Sequence, residues 1–126
     1  MTASELDTVL AWHAALNAGD TDRLIALSTD DVEVGGPRGA GRGAQLLREW
    51  VARAQIQLEP VRWQTVEETI VVEQTARWRA PDGRLTEPQL AASVFRVVDG
   101  KVASVLRFGS MPEALEFAGT RPSPSV

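Results

Sequence analysis

The second half of the chain consists of four strand-like segments with no helix-length segment between them. They begin at about residue 56 and read LEPVRWQTVEE, TIVVEQTARWRA, QLAASVFRVV and KVASVLRFG, and their Val, Thr, Ile and aromatic residues favour strands. The connections are short: Glu67-Glu68, PDGRLTEP and Asp99-Gly100. Asp-Gly between two such segments is typical of a tight hairpin. Because parallel neighbours need a long crossover, we expect these four strands to pair antiparallel as a meander.

The first half of the chain predicts three helices and one short strand. Mainly apolar residues recur there at intervals of three and four positions, the spacing of a helix that is buried on one side. Gly19 is suited to end the first helix in the left-handed conformation, and Asp20 is placed to cap the second. Val32 and Val34 flank a polar residue as a short strand does. The stripe positions are Leu6, Val9, Leu10, His13 and Leu16 in the first helix, Leu24, Ile25 and Leu27 in the second, and Leu47, Trp50, Val51 and Ala54 in the third.

This order of elements predicts an α+β fold. About three N-terminal helices and a short strand accompany a curled antiparallel sheet of four long strands, so we expect the helices to gather on one face of the sheet. A chain of 126 residues is long enough for one core and too short for two domains. We expect a single domain over residues 1–118, closed by a helical turn at MPEALEFA, and a flexible C-terminal tail over residues 119–126.

Charge and composition exclude several kinds of partner. The net charge of −4 disfavours a nucleic-acid partner. No apolar run approaches the ~20 residues of a membrane span, and the start of the chain lacks the basic segment of a signal peptide. We therefore expect a cytoplasmic protein that does not contact a membrane. The absence of cysteine removes disulfides and thiolate metal sites, and with a single histidine we expect no metal site. We also expect no cofactor.

The glycine-rich segment between the short strand and the third helix has two interpretations. Gly39 to Ala44 satisfies G-x-G-x-x-A, and Glu59 lies twenty residues beyond Gly39, as in a dinucleotide-binding fingerprint. That fingerprint requires parallel βαβ units, whereas hairpins are expected here. We therefore predict a flexible corner that lets the third helix fold back over the sheet. The alternative is an anion site, with Arg38 and Arg42 beside free backbone N–H groups at the start of the helix.

Three segments of the chain resemble a known family. WHAALNAGDTDRLIALSTDDVEV, then GRGAQLLREW, and later SVFRVVDGKVASVLRFGS resemble the nuclear transport factor 2-like superfamily, which includes ketosteroid isomerases, limonene-epoxide hydrolases and SnoaL-like polyketide cyclases. The resemblance covers nearly the whole chain to about residue 118. It implies a cystatin-like, cone-shaped roll, in which a strongly curved sheet wraps a deep apolar pocket that helices close on one side. It also implies a homodimer formed through the outer sheet surface.

The catalytic residues of two enzyme groups in this superfamily are absent from the matching positions. The isomerase reaction needs a carboxylate base and two acidic donors, and the epoxide hydrolases use two carboxylates bridged by an arginine to activate water. The resemblance therefore implies neither of these two reactions for this chain. The matching positions hold Gly36, Trp12 and Ser93 in place of the isomerase residues, and Gln74, Ala76 and Arg107 in place of the hydrolase residues.

The predicted pocket is lined by residues of the strands and the first helix. Strand alternation places Ile70, Val72, Gln74, Ala76 and Trp78 on one face, with Ala91, Ser93, Phe95 and Val97 on the next strand. The family register turns Val105 and Arg107 of the last strand toward the same pocket. The apolar pattern of that strand instead favours burying the other side, which carries Val102, Leu106 and Phe108. We adopt the family register. The residues that we expect to line the pocket are Trp12, Gln74, Trp78, Ser93, Phe95, Val105 and Arg107.

Arg107 and the tryptophans indicate which ligand such a pocket would take. An inward arginine is costly without an anionic partner, which favours a ligand carboxylate, sulfate or phosphate. Alternatively, Arg107 pairs with a protein acid such as Glu33 or reaches solvent at the rim. The large, flat rings of Trp12 and Trp78 favour a flat apolar ligand that stacks on them. Alternatively, these two rings fill the core. We place Trp63 on a dimer face.

Three functions remain open from the sequence. The leading hypothesis is a small-molecule-binding protein whose ligand is mainly apolar or weakly acidic, with no assigned activity. The second is an isomerase, cyclase or hydratase that uses His13, the single histidine, as its acid and base. A histidine on a helix stripe can equally be a core residue bonded to the backbone. The third is a protein–protein adaptor, which predicts a filled cavity and an exposed apolar patch.

Overall fold

A computed structural model describes residues 5–36 and 39–120 of the chain. The described part of the chain begins with two helices and two strands, continues with a helix and four strands, and ends with one more helix. In chain order they are α1 (Glu5–Ala18), α2 (Thr21–Ala26), β1 (Ser28–Gly36), β2 (Gly39–Arg42), α3 (Ala44–Ala54), β3 (Ile56–Val66), β4 (Thr69–Trp78), β5 (Gln89–Val98), β6 (Lys101–Phe108) and α4 (Met111–Thr120).

The strands form one curved six-stranded sheet in the order β2-β1-β6-β5-β4-β3. The predicted antiparallel meander is confirmed, because β3, β4, β5 and β6 pair antiparallel in sequence order. The α+β class is confirmed as well. The strand count differs from the prediction, since β1 has nine residues and pairs parallel with β6, and β2 adds a sixth strand. The parallel pair joins strands that are distant in sequence, which no local pattern reveals.

The glycine-rich segment is a hairpin rather than a flexible corner. β1 and β2 pair antiparallel with Gly36 opposite Gly39 and Val34 opposite Gly41. A Cβ on Gly35 would collide with the backbone of Gly39 and Ala40, so the close approach of the two strands requires glycine there. The prediction of a flexible corner is therefore wrong. The pairing is antiparallel, unlike a dinucleotide-binding unit, and Arg38 of the alternative anion site lies outside the described residues.

Side chains are buried on both faces of the sheet. Because successive strand residues point to opposite faces, Val72 and Phe95 join a core on the inner face with α1, α2 and α3, while Val71 and Val94 join a second core on the outer face with α4. The expectation that all helices gather on one face is corrected by α4. It is a full helix whose Phe117 ring lies 5.0 Å from the Phe108 ring. Of the predicted tail, residues 119 and 120 belong to α4, and residues 121–126 lie outside the described part.

A bulge in β6 determines which way Arg107 points. Val97 pairs with Val102, but the preceding Arg96 pairs with Ser104, so Ala103 is an extra residue in β6. Val102 and Val105 consequently both belong to the inner core. Leu106 and Phe108 belong to the outer core under α4. The family register and the apolar pattern are therefore both satisfied, and Arg107 lies on the inner face.

The predicted end of α1 and the predicted start of α2 are confirmed, and the side chain of Asn17 joins the end of α1 to the sheet. Gly19 has a φ of +73°, and the Asp20 carboxylate accepts a hydrogen bond from the backbone N–H of Arg23 at 3.2 Å. The Asn17 amide donates to the carbonyl of Leu58 and accepts from its N–H, both at 2.8 Å. These two bonds join the end of α1 to β3 and so position His13, one turn earlier, against the inner face of the sheet.

Candidate functional site

A cavity of about 660 Å³ opens on the inner side of the sheet. It is bounded by α3, by the β1–β2 hairpin, by the start of β3, the end of β4, and by β5 and β6. Most of the surface that it presents is apolar. The apolar side chains that line it include Leu46, Trp50, Leu58, Trp78, Leu90 and Val105. Such a lining suits a mainly apolar small molecule.

Arg107 contributes to this cavity a guanidinium group with one unsatisfied nitrogen. Its guanidinium carbon lies 5.7 Å from the centroid of the Trp78 ring, an arrangement suited to cation–π attraction. Its Nη1 atom is buried and has no hydrogen-bond partner among the described residues. Burial lowers the pKa of Arg107 below its usual value, because the charged form loses water that the protein does not replace.

The charged residues around the cavity are both arginines. Arg53, near the end of α3, lines the cavity together with Arg107, and no acidic side chain lines it in the part of the chain that the structure describes. Glu33, the proposed partner of Arg107, instead has its carboxylate 3.8 Å from Arg42 Nη2 and accepts a hydrogen bond from Ser104 at 2.9 Å. The cavity is thus locally cationic in a chain whose net charge is −4.

His13 belongs to a buried polar network beneath the cavity. Its Nδ1 lies 2.8 Å from the carbonyl oxygen of Val9, and its Nε2 lies 2.8 Å from the Gln74 amide nitrogen. The Ser93 hydroxyl donates to Gln74 Oε1 at 2.9 Å. Burial lowers the pKa of His13 to about 4, so the imidazole is neutral at physiological pH. Of these residues, only Ser93 borders the cavity.

Four of the seven residues predicted to line the pocket do so: Trp78, Ser93, Val105 and Arg107. The other three are corrected to the core, because α1 packs directly on that part of the sheet and leaves no room for a ligand. Trp12 is fully buried and donates from Nε1 to Ser28 Oγ at 3.2 Å. Its ring lies 5.3 Å from the Phe95 ring, which is also fully buried, as is Gln74.

Residues of α3 and of the glycine hairpin were missed by the pocket prediction. Trp50 and Leu46 line the cavity from α3, and Gly35 and Gly36 line it from β1. Trp50 could have been found, since it lies on the predicted stripe of the third helix. The hairpin could not, because its glycines have no side chains that alternate, and because the parallel contact of β1 with β6 joins residues that are distant in sequence.

Gly36 occupies the position that the resemblance assigns to the isomerase base. It lines the cavity, and a Cβ at this residue would lie 2.7 Å from the carbonyl oxygen of Arg107. Any side chain therefore requires the backbone of β1 or β6 to shift. Within the described residues, no group of three or more His, Cys, Asp or Glu is arranged to hold a metal ion. No described helix is both long and apolar enough to span a bilayer.

The sequence matches a family model over most of its length. The model for the SnoaL-like domain covers residues 9–105, which includes α1 and extends into β6. The chain belongs to the SnoaL-like family. No curated protein matches this SnoaL-like chain.

Solved structures agree with this assignment. An uncharacterized cystatin-fold protein from Novosphingobium aromaticivorans is 28% identical, with a TM-score of 0.73, and the match covers 85% of this SnoaL-like chain and 99% of that one. A putative polyketide cyclase from Sinorhizobium meliloti is 25% identical, with a TM-score of 0.67 over 80% of this chain and 93% of that one. The epoxide hydrolase/cyclase-like enzyme SalBIII is 20% identical, with a TM-score of 0.73, and the match covers 84% of this chain and 90% of that one. This likeness concerns the fold alone.

Proposed function

We propose that this SnoaL-like protein binds a small, mainly apolar ligand that carries an anionic group, and that Arg107 receives this group in the cavity. The observation that carries the proposal is the buried Nη1 atom of Arg107, which has no hydrogen-bond partner among the described residues. A buried donor on a charged group costs free energy when it is left unpaired. A ligand carboxylate would restore the missing hydrogen bond, and the planar guanidinium suits a carboxylate in two-point contact.

The rest of the cavity supports an apolar body for that ligand. Trp50 and Trp78 both line the cavity and offer flat surfaces for stacking. Arg53 adds a second positive charge, and no described acidic side chain lines the cavity to repel an anion. Membership of a family whose relatives include a putative polyketide cyclase supports a ligand-binding or cyclase-type role.

The contacts of His13 do not favour an enzyme that uses this residue as acid and base. Both ring nitrogens are engaged, and the side chain does not reach the cavity. An adaptor function predicts a filled cavity, whereas a volume of about 660 Å³ is open here. The ligand-binding proposal therefore accounts for more of the described geometry than either alternative.

Calorimetry with an aromatic acid and its neutral amide tests the proposal. We expect 2-naphthoate to bind at least about tenfold more tightly than 2-naphthamide, since the charged contact is worth about 1.5 kcal/mol or more. Arg107→Gln removes this preference. Arg77→Gln is the matched control, because Arg77 lies on the opposite face of β4 and is exposed, and it keeps the preference. Equal affinities of acid and amide for the native protein would contradict the proposal.

A further inference from the structure

We infer that the anionic group of the ligand carries two negative charges, as a phosphate monoester does, and that Arg53 shares this group with Arg107. The inference rests on the proposed function and extends it to a substrate class: phosphate monoesters of mainly apolar alcohols. Two features of the cavity carry it, namely the position of both arginines at one end and the lack of a counterion for them among the described residues.

Helical spacing directs Arg53 toward the cavity. Leu46, Trp50 and Arg53 follow one another at steps of four and three along α3, so their side chains lie on one face of the helix. All three line the cavity. Arg53 is exposed, and its guanidinium has no hydrogen-bond or ion-pair partner among the described residues. It is therefore accessible to a ligand that enters the cavity.

Arg53 and Arg107 border the same end of the cavity. Arg53 lies in the last turn of α3, and the next strand begins shortly afterwards with Ile56, which pairs with Trp78. The guanidinium carbon of Arg107 lies 5.7 Å from the centroid of the Trp78 ring. Both arginines therefore lie at the Trp78 end. Leu46, in the first turn of α3, lines the opposite end beside the β1–β2 hairpin.

Two cations at one end of the cavity favour a ligand group with two negative charges. A carboxylate or a sulfate ester carries one and leaves one arginine without a counterion, whereas a phosphate monoester carries close to two above a pKa of about 6. No acidic side chain of the described residues lines the cavity, so the protein supplies neither charge. The C-terminal end of a helix carries partial negative charge, so the attraction for an anion comes from the two arginines and not from α3 itself. The phosphate therefore lies at the Trp78 end, and the apolar body extends toward Leu46.

Two esters of 2-naphthol separate the effect of charge from that of shape. 2-Naphthyl phosphate and 2-naphthyl sulfate share the apolar body and a tetrahedral group of similar size, but well above a pH of about 6 the phosphate carries a second negative charge. By calorimetry at such a pH, we expect the native protein to bind the phosphate about tenfold more tightly than the sulfate. Equal affinities of the two esters would overturn the assignment of two charges, while a preference for 2-naphthoate over its amide would still support the proposed function. If neither ester nor 2-naphthoate binds, both proposals fail.

Substitutions at two arginines of α3 locate the effect at Arg53. Arg53→Gln is expected to reduce the phosphate-to-sulfate affinity ratio from about ten to below about three. Arg48→Gln removes the same charge from the same helix, but Arg48 is paired with Asp22 at 3.3 Å and does not line the cavity, so this control keeps the native ratio. Thermal unfolding reports whether each variant folds. A folded Arg53→Gln protein that retains the tenfold ratio, or an equal loss in Arg48→Gln, would overturn the inference.

Discussion

At the scale of single residues, the neutral His13 makes the stability of the protein depend on pH. Burial lowers its pKa from 6.5 to about 4, so in this interval the unfolded chain binds a proton that the folded chain does not. The free energy of unfolding therefore falls as the pH decreases from 6.5 toward 4 and is recovered as it rises. The shift corresponds to about 3 kcal/mol in total.

Urea unfolding of the native protein and of His13→Gln across that pH interval measures this contribution. We expect the native protein to lose about 3 kcal/mol more than the variant, since glutamine does not titrate. Carboxylates titrate in both proteins, so only the difference between the two curves counts. Parallel curves would show that His13 takes up its proton equally in the folded and unfolded states.

Gly36 is a second residue whose effect can be predicted. A Cβ there would lie 2.7 Å from the carbonyl oxygen of Arg107, so we expect Gly36→Ala to destabilise the protein by about 1–3 kcal/mol in urea unfolding. Gly109 also lines the cavity, but its Cβ would meet only Glu113 Oε2, at 3.9 Å. Gly109→Ala is the control and should change stability by less than about 0.5 kcal/mol. Equal effects of the two substitutions would contradict the close approach of β1 and β6.

At the scale of elements, α4 and the cavity lie on opposite faces of the sheet. Phe117 of α4 packs on Phe108 of β6 with ring centroids 5.0 Å apart and is partly buried in the outer core. Phe108 also borders the cavity, whereas Phe117 does not, so we expect Phe117→Ala to cost about 2 kcal/mol of stability and to change the affinity for 2-naphthoate by less than about threefold. Chemical unfolding and calorimetry on the same variant check both parts. A tenfold loss of affinity in a folded variant would contradict the separation of the two faces.

The same elements show what the sequence could and could not predict. The meander of β3 to β6, the end of α1 at Gly19 and the cap at Asp20 depend on patterns within a few residues, and all three are confirmed. The pairing of β1 with β6 joins residues about 70 positions apart, as Glu33 opposite Ser104 shows. Local periodicity carries no information about such a pairing. The hairpin of β1 and β2 was missed because its glycines have no side chains that alternate.

The site was predictable to the extent that strand alternation defines it. Ser93, Val105 and Arg107 face the cavity as the family register requires, and the bulge at Ala103 explains why the apolar pattern of β6 disagreed. Gln74 was assigned to the pocket because it shares that face of the sheet, and Trp12 because the resemblance places it, on the first helix, at the position of an isomerase donor. Strand alternation shows only which side of the sheet a side chain points to. The packing of α1 determines how much of that side remains accessible to a ligand. Helix packing against a sheet depends on side-chain volumes from distant segments, which periodicity does not give.

At the scale of the whole molecule, the edge strand β3 leaves apolar surface uncovered. Trp63 and Val61 on β3 are 44% and 52% exposed, and β3 ends the sheet. Trp63 lies opposite Val72 of the inner core, so it extends that face beyond the helices. Exposed apolar residues on an unpaired edge favour contact with another chain. We therefore keep the homodimer as a proposal but place its interface at Trp63 on the β3 edge, on the inner-facing side, rather than on the outer sheet surface, where α4 packs.

Light scattering on the purified protein tests this assembly. We expect a mass twice that of one chain for the native protein and a shift toward one chain for Trp63→Glu, because a buried unpaired carboxylate opposes association. Gln64→Glu adds the same charge to the next position of β3, which is also exposed but points to the opposite face, and it should leave the mass unchanged. A native protein with the mass of one chain would exclude the dimer, and a dimer that persists in Trp63→Glu would move its interface away from this residue. Because Trp63 lies apart from the residues that line the cavity, ligand binding by the dissociated variant would further show that each chain holds a complete site.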